Sequence, residues 1–247
     1  MLEYIFLIIL LIIIIFSLIS LLLNLFIAIL IYLELYNQDI LYYDFGNKNS
    51  KIKICFLAGV HGNERAGVVL LQELVKNNYF KDKNIFIRVI PLVNNFGYKN
   101  NIRYQNDFIK SDINRNFEDG KANDKTSEKI INLTKEMNLI IDFHEGWGFH
   151  KLNDESIGST VITGNFESLG KKIIENINKN IKNEDLKFVL LKRPCNIESS
   201  FGCYNYKNNK KYILIETSGQ NNIQKMEVRK NQVKIVIDTV LDYFNES

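Results

Sequence analysis

Between Ile5 and Tyr32 the chain carries an almost unbroken apolar run, interrupted only by Ser17, Ser20 and Asn24, and no Lys or Arg precedes Lys48. A core helix of a soluble domain keeps a polar face, and this segment has none. Roughly 28 helical residues at about 1.5 Å rise reach about 42 Å, more than the roughly 30 Å hydrocarbon core of a bilayer. The run therefore reads as one transmembrane helix over residues 1–33, and a folded domain must be built from the residues C-terminal to it. A cleaved secretory signal would want a basic start, a shorter apolar core and a small-residue cleavage site. Glu3 leads this run instead, and no Ala-x-Ala comes after it. The nearest basic residues, Lys48, Lys51 and Lys53, lie on the C-terminal side and lean slightly towards a cytosolic domain. They are far from the span, so the side of the membrane stays open.

Residues 34–50 read as a juxtamembrane linker and 51–247 as one catalytic domain, long enough for a full α/β core. Lys and Arg number 31 against 28 Asp and Glu, for a formal charge of +3. The basic residues are scattered, which leaves no electrostatic footprint for nucleic acid. Of the three cysteines, Cys55 sits in an apolar strand and reads as core. Cys195 and Cys203 either pair in an oxidising space or stay free in a reducing one.

Short β-branched apolar runs at 52–60 and 85–93 have the character of buried parallel strands. Strand signals return at 139–143, 160–163, 188–191 and 212–215. Helical spacing occupies 66–75, 126–137, 169–181 and 228–244. This alternation predicts an α/β fold with a mixed, largely parallel central sheet and helices on both faces. The ligand crevice of such a sheet lies beyond the carboxyl ends of its strands, where His61, His144 and Glu216 all fall. Residues 94–120 form a long irregular stretch, and long loops in compact domains are usually functional.

His61 and Glu64 stand in Val60-His61-Gly62-Asn63-Glu64-Arg65, directly after an apolar strand, and His144 ends another. Zinc takes imidazole nitrogens and carboxylate oxygens, and a hydrolytic site keeps three protein ligands with a fourth position open. Two of only three histidines at strand ends, one with a glutamate three residues on, fit that need. The intervening loop supplies Arg103-Tyr104 and then Asp112-Ile113-Asn114-Arg115-Asn116-Phe117. An arginine is always protonated and presents a planar fork, which suits both a developing oxyanion and a substrate carboxylate.

Gly59-Val60-His61-Gly62-Asn63-Glu64, Arg103-Tyr104, the stretch from Asp112 to Phe117, Asp142-Phe143-His144 and Ile215-Glu216-Thr217, in that order, resemble the zinc carboxypeptidase superfamily. The His-Gly-Asn-Glu wording and the short step from Arg103 to Asp112 are most similar to its succinylglutamate desuccinylase and aspartoacylase branch. The resemblance spans roughly residues 51–219 and implies roles. His61, Glu64 and His144 would hold one zinc ion, and Asp112 would accept the second ring proton of His61. Glu216 would be the general base, taking a proton from the attacking water and passing it to the leaving nitrogen. Arg103 would stabilise the tetrahedral oxyanion, and Asn114 and Arg115 would bind the substrate carboxylate.

The resemblance also implies an additional domain beyond the general base that narrows the pocket. About 30 residues come after Glu216 here and read as one helix, so a wider access route is expected. Glu145, Trp147 and His150 are open between pocket lining and core or surface roles, Asp142 between an outer carboxylate and a core one. Tyr204 and Tyr206 are candidates for a substrate-gripping tyrosine. The implied activity is a membrane-anchored zinc amidohydrolase that removes an acyl group from N-acyl amino acids or related small carboxylates. A carboxypeptidase acting on peptides is the alternative, and a tethered zinc- or ligand-binding module without turnover a third reading. Glu216 argues against the third, because a binding module needs no base beside an open metal position.

Overall fold

The computed structural model describes residues 1–36, 39–81, 83–105, 110–118 and 121–245. The chain divides into two compact units, Met1–Asp39 and Ile40–Ser247. The first is a single helix, α1 (Leu2–Tyr36). Its stretch Glu3–Ile31 is long and apolar enough to cross a membrane, and none of it is buried within the protein.

The second unit contains β1 (Tyr43–Phe45), β2 (Lys53–Ala58), α2 (Ala66–Lys76), β3 (Phe86–Ile90), α3 (Asn95–Asn100), α4 (Lys125–Thr134) and β4 (Leu139–Gly146). After these come β5 (Thr160–Thr163), α5 (Glu167–Asn178), β6 (Val189–Leu191), α6 (Phe201–Lys207), β7 (Lys211–Ser218) and α7 (Met226–Asn245). The strands form one sheet in the order β1-β3-β2-β4-β7-β5-β6. Neighbours β3, β2, β4 and β7 run parallel, β1 lies antiparallel to β3, and β5 with its parallel partner β6 runs antiparallel to β7. The mixed, largely parallel sheet read from the sequence is thus observed.

Alternation along the central strands sorts side chains into two cores. Ile54 and Phe56 of β2, Ile141 and Phe143 of β4, and Ile213 and Ile215 of β7 join apolar residues of α2, α5 and α7 on one face. Cys55 and Leu57 of β2, Ile140 of β4 and Tyr212 of β7 join Ile113, Phe117, Ile130 of α4 and Phe201 of α6 on the other. Every residue of β4 is buried. This accounts for its apolar run, broken before His144 only by Asp142, because a parallel strand covered on both faces has no solvent side to mark with polar residues.

Two features differ from the sequence reading. β4 and β7 continue past their apolar runs, with His144 opposite Glu216 and Gly146 opposite Ser218 in the ladder. The backbone pairing persists where the hydrophobic signal stops, since the buried residues there are polar. The 34–50 stretch, expected as a linker, contains the edge strand β1, and Ile40 belongs to a core. What holds β1 is a directed contact: Asp44 lies opposite Arg88 and accepts from its Nε at 2.7 Å and its Nη2 at 2.8 Å. A three-residue strand fixed by an ion pair leaves no periodic pattern to read.

Candidate metal centre and active site

After β2 the chain must turn sharply under α3. Gly59 holds φ of +70°, and a Cβ there would lie 2.7 Å from Leu92 Cδ1. A Cβ on Gly62 would lie 2.0 Å from the backbone carbon of Gly97, so only glycine admits α3 at this distance. These two glycines put His61 and Glu64 beneath the end of the sheet. His144 reaches the same point from β4.

There His61 Nδ1 lies 2.8 Å from Glu64 Oε1, His144 Nδ1 lies 2.8 Å from Glu64 Oε2, and the two Nδ1 atoms are 3.1 Å apart. All three residues are buried, and the candidate ligand atoms lie within 4.8 Å of one another. Outer groups complete the arrangement. Asp112 Oδ1 is 3.1 Å from His61 Nε2, and Asp142 Oδ2 is 3.3 Å from His144 Nε2 and accepts from the Tyr212 hydroxyl at 2.7 Å. Each imidazole therefore has a carboxylate behind its outward nitrogen and turns the other nitrogen towards Glu64, the pattern of metal-bound histidines. Burial works against the charge on Glu64, but His61 and His144 hold its carboxyl well below the usual range. Burial likewise opposes protonation of His144, and Asp142 and Glu64 outweigh it, raising its proton affinity. Two imidazole nitrogens and a carboxylate converging at this distance, each imidazole backed by a further carboxylate, form a donor set that fits a divalent cation.

Arg103 is aimed by its neighbours. Its carbonyl accepts from Gly62 N and from Asn94 Nδ2, and its Nε donates to Asp112 Oδ2 at 3.0 Å. Nη1 lies 3.4 Å from Glu64 Oε1. Burial alone would raise the Asp112 carboxyl, but His61, Arg103 and Arg115 hold it low. Asp112 also accepts from the Asn114 backbone N–H at 2.8 Å, opening the 3-10 turn Ile113–Arg115. Asn114 Oδ1 accepts from Phe201 N at 2.8 Å, so its carbonyl oxygen anchors α6 and only its amide nitrogen can donate elsewhere. Arg115 Nη1 donates to the Asn114 carbonyl at 2.7 Å.

Glu216 is buried, and its Oε2 has no hydrogen-bond partner. Burial pushes its carboxyl up to about 8, against the pull of His144 and Arg103. Glu216, His61, Glu64, Arg103, Asn114 and Arg115 all border one cavity of ≈ 130 Å³. The structure thus brings the sequence-derived residues together, with Asp112 and His144 immediately behind.

The undecided residues separate clearly. Glu145 points to the opposite sheet face, where Oε1 accepts from Ala66 N at 2.9 Å and Oε2 from Arg229 at 2.6 Å, while its own N–H donates to Glu64 Oε2 at 3.1 Å. Burial raises its carboxyl although Arg229 opposes the shift. His150 Nδ1 lies 2.7 Å from the Ser156 carbonyl, and neither it nor exposed Trp147 borders the cavity. Tyr206 borders the cavity, whereas Tyr204 stacks on Phe201. Cys195 and Cys203 are joined in a disulfide. Sequence reasoning missed Asn94, Tyr212 and Arg229. Tyr212 was within reach, since a period of two places it on the same face as Glu216.

The fold is that of solved metallopeptidase-like structures, and His61, Glu64 and His144 form a buried His-Glu-His set able to hold a metal ion. Residues 50–149 match the Succinylglutamate desuccinylase/Aspartoacylase catalytic domain, in agreement with the resemblance read from the motifs. No match is found among curated protein sequences. The product-bound cell shape determinant protein Csd4 of Helicobacter pylori superposes with a TM-score of 0.71 at 16% identity, covering 84% of this chain and 55% of that one. Its mDAP-bound form, described as a D,L-carboxypeptidase, gives 0.69 at 17% identity, covering 82% and 54%. A candidate metallopeptidase of Shewanella denitrificans gives 0.63 at 15% identity, covering 85% and 82%. At these identities the likeness is one of fold, and the chain spans little more than half the length of Csd4.

Proposed function

We propose that this protein is a membrane-anchored, zinc-dependent hydrolase of amide bonds, removing the acyl group from small N-acyl amino acids with a free carboxylate. The observation that carries the reading is the convergence of the His61-Glu64-His144 set, a buried carboxylate one strand away at Glu216, and Arg103 and Arg115 on one cavity. His61, Glu64 and His144 would hold a zinc ion, which would supply Lewis acidity at this end of the cavity. Glu216 takes the proton released as water attacks the acyl carbon, and its raised proton affinity suits it to deliver that proton to the departing nitrogen. Arg103, held by Asp112 at the border of the cavity, neutralises the oxyanion. Arg115 grips the substrate carboxylate.

A second reading is a carboxypeptidase acting on short peptides. It is favoured by the Csd4 structures, one of which holds a tripeptide and another mDAP. Chemically the two differ only in the acyl group, since a peptide is an N-acylated amino acid. The full-length protein, loaded with zinc in mild detergent, should hydrolyse N-acylated amino acids or C-terminally free peptides. It should prefer the free acid over its amide by on the order of 100-fold, the worth of two hydrogen bonds to a charged group. Chelation should abolish turnover and added zinc restore it. Equal rates on acid and amide would remove the carboxylate clamp and point to an internal-bond peptidase.

A further inference from the structure

The carboxylates behind the two imidazoles are held in unlike ways. Asp112, behind His61, accepts from Arg103 Nε at 3.0 Å and from the Asn114 backbone N–H at 2.8 Å. Asp142, behind His144, is fully buried in β4, and its ladder neighbours are Leu57 of β2 and Leu214 of β7, neither with a polar side chain. Its Oδ1 has no hydrogen-bond partner. Its Oδ2 accepts from the Tyr212 hydroxyl at 2.7 Å, and the same oxygen lies 3.3 Å from His144 Nε2. Among the described residues, that hydroxyl is the one side-chain donor besides His144 that reaches Asp142.

Tyr212 reaches Asp142 because of where β7 puts it. The ladder sets Tyr212 opposite Ile140, and a period of two keeps Ile140, Asp142 and His144 on one face of β4. The diagonal step to a residue two along the neighbouring strand is within reach of an aromatic side chain. α6 fixes the ring. Phe201 stands edge-on to it with centroids 5.6 Å apart, and a Cβ on Gly202 would lie 3.1 Å from Tyr212 Cε1, so the helix lies close against the phenol. α6 is itself tied at two points. Phe201 N donates to Asn114 Oδ1, and the Cys195–Cys203 disulfide joins the helix to the loop that forms the roof of the cavity, where Pro194 and Ile197 border it.

With Nδ1 turned towards Glu64 as a metal ligand, the His144 ring keeps its proton on Nε2, facing Asp142 Oδ2. The orientation of the ring then depends on where that oxygen is held. Resting on the zinc part of the proposed function, we propose that Tyr212 is a positioning residue for the metal centre, fixing Asp142 Oδ2 so that His144 keeps Nδ1 turned towards Glu64 and the metal position. Asp112 has an arginine and a backbone N–H to hold it, so loss of a single hydroxyl is felt on the His144 side alone.

The test compares wild type, Tyr212→Phe, Asp142→Asn and the double variant as full-length protein in mild detergent. Zinc affinity is measured by competition with a chromogenic chelator, stability of the metal-free protein by urea titration, and the metal environment by the visible absorption of cobalt-loaded protein. Tyr212→Phe should weaken zinc binding at least about tenfold, the lower end for partners of metal-bound histidines, and shift the cobalt bands. Asp142→Asn should do at least as much. The double variant should match Asp142→Asn within about twofold, because residues that act through one another do not add. Unchanged zinc affinity or unchanged cobalt bands in Tyr212→Phe, whatever its urea midpoint, would overturn the proposal and leave the hydroxyl as a partner for a buried charge. Losses that multiply in the double variant would overturn it too, since Tyr212 would then act independently of Asp142. A wild type that binds no zinc would refute the zinc reading and the proposal together, an outcome distinct from wild type and Tyr212→Phe binding it equally, which refutes the positioning role alone.

Discussion

Glu216 is a buried carboxylate with an unpartnered oxygen beside a cluster of charged groups, a position that costs free energy unless chemistry requires it. Glu216→Gln keeps the shape and removes the basicity. It should retain stoichiometric zinc by elemental analysis and lower kcat at least about 100-fold, the usual worth of general-base assistance. Near-normal turnover would move the base elsewhere, and Glu145 is no longer a successor because both its oxygens are committed on the far face of the sheet. The candidate ligands were legible in the sequence because each histidine closes an apolar run and Glu64 stands within the same turn as His61. Residues that steady them were not. Arg229 meets Glu145 across 84 positions, and Asn94 secures the Arg103 carbonyl from what reads as an ordinary loop. Such partners are set by the assembled sheet, and no local spacing announces them.

At the level of elements, the centre depends on how α7 and α2 grip β4. Arg229 of α7 pairs with Glu145, which receives the first N–H of α2 and offers its own N–H to Glu64, so one buried ion pair joins three elements to a candidate metal ligand. Removing one partner of such a pair typically costs about 3–5 kcal/mol. Arg229→Met should therefore destabilise the unit from Ile40 onward, by urea titration with chelator present, and weaken zinc binding. The pH dependence has a definite sign. Burial already raises the Glu145 carboxyl above its ordinary 4.5, and losing Arg229 raises it further. A carboxyl raised in the folded state loses stability as pH climbs from 4.5 towards its folded value, because the native state then holds the extra proton. The gap between wild type and variant should be small at about pH 5 and larger at about pH 8, and a gap independent of pH would mean that Arg229 acts through packing alone. The order of strands and helices was readable from periodicity, but the reach of β4 and β7 into the polar site was not, since hydrophobic pattern records burial of apolar side chains and is silent about a ladder that continues through His144 and Glu216.

On the scale of the whole molecule, the apolar helix and the disulfide bear on one proposal, that the unit from Ile40 onward is tethered at a membrane on the side away from the cytosol. Lys48, Lys51 and Lys53 lean slightly towards the cytosol, but positive-inside bias fades with distance from the span. A disulfide that closes the roof of the cavity needs an oxidising compartment to form and persist, and that requirement does not fade. We therefore expect the unit from Ile40 onward to face away from the cytosol, held by α1. Full-length protein in isolated membranes should resist alkaline carbonate extraction. After denaturation without reductant, a maleimide should label one thiol, Cys55, and after reduction all three. Protease added outside intact spheroplasts should digest the unit. Three reactive thiols before reduction, together with protection from that protease, would place the unit in the cytosol and leave the roof of the cavity held by packing and by the Asn114 bond to α6.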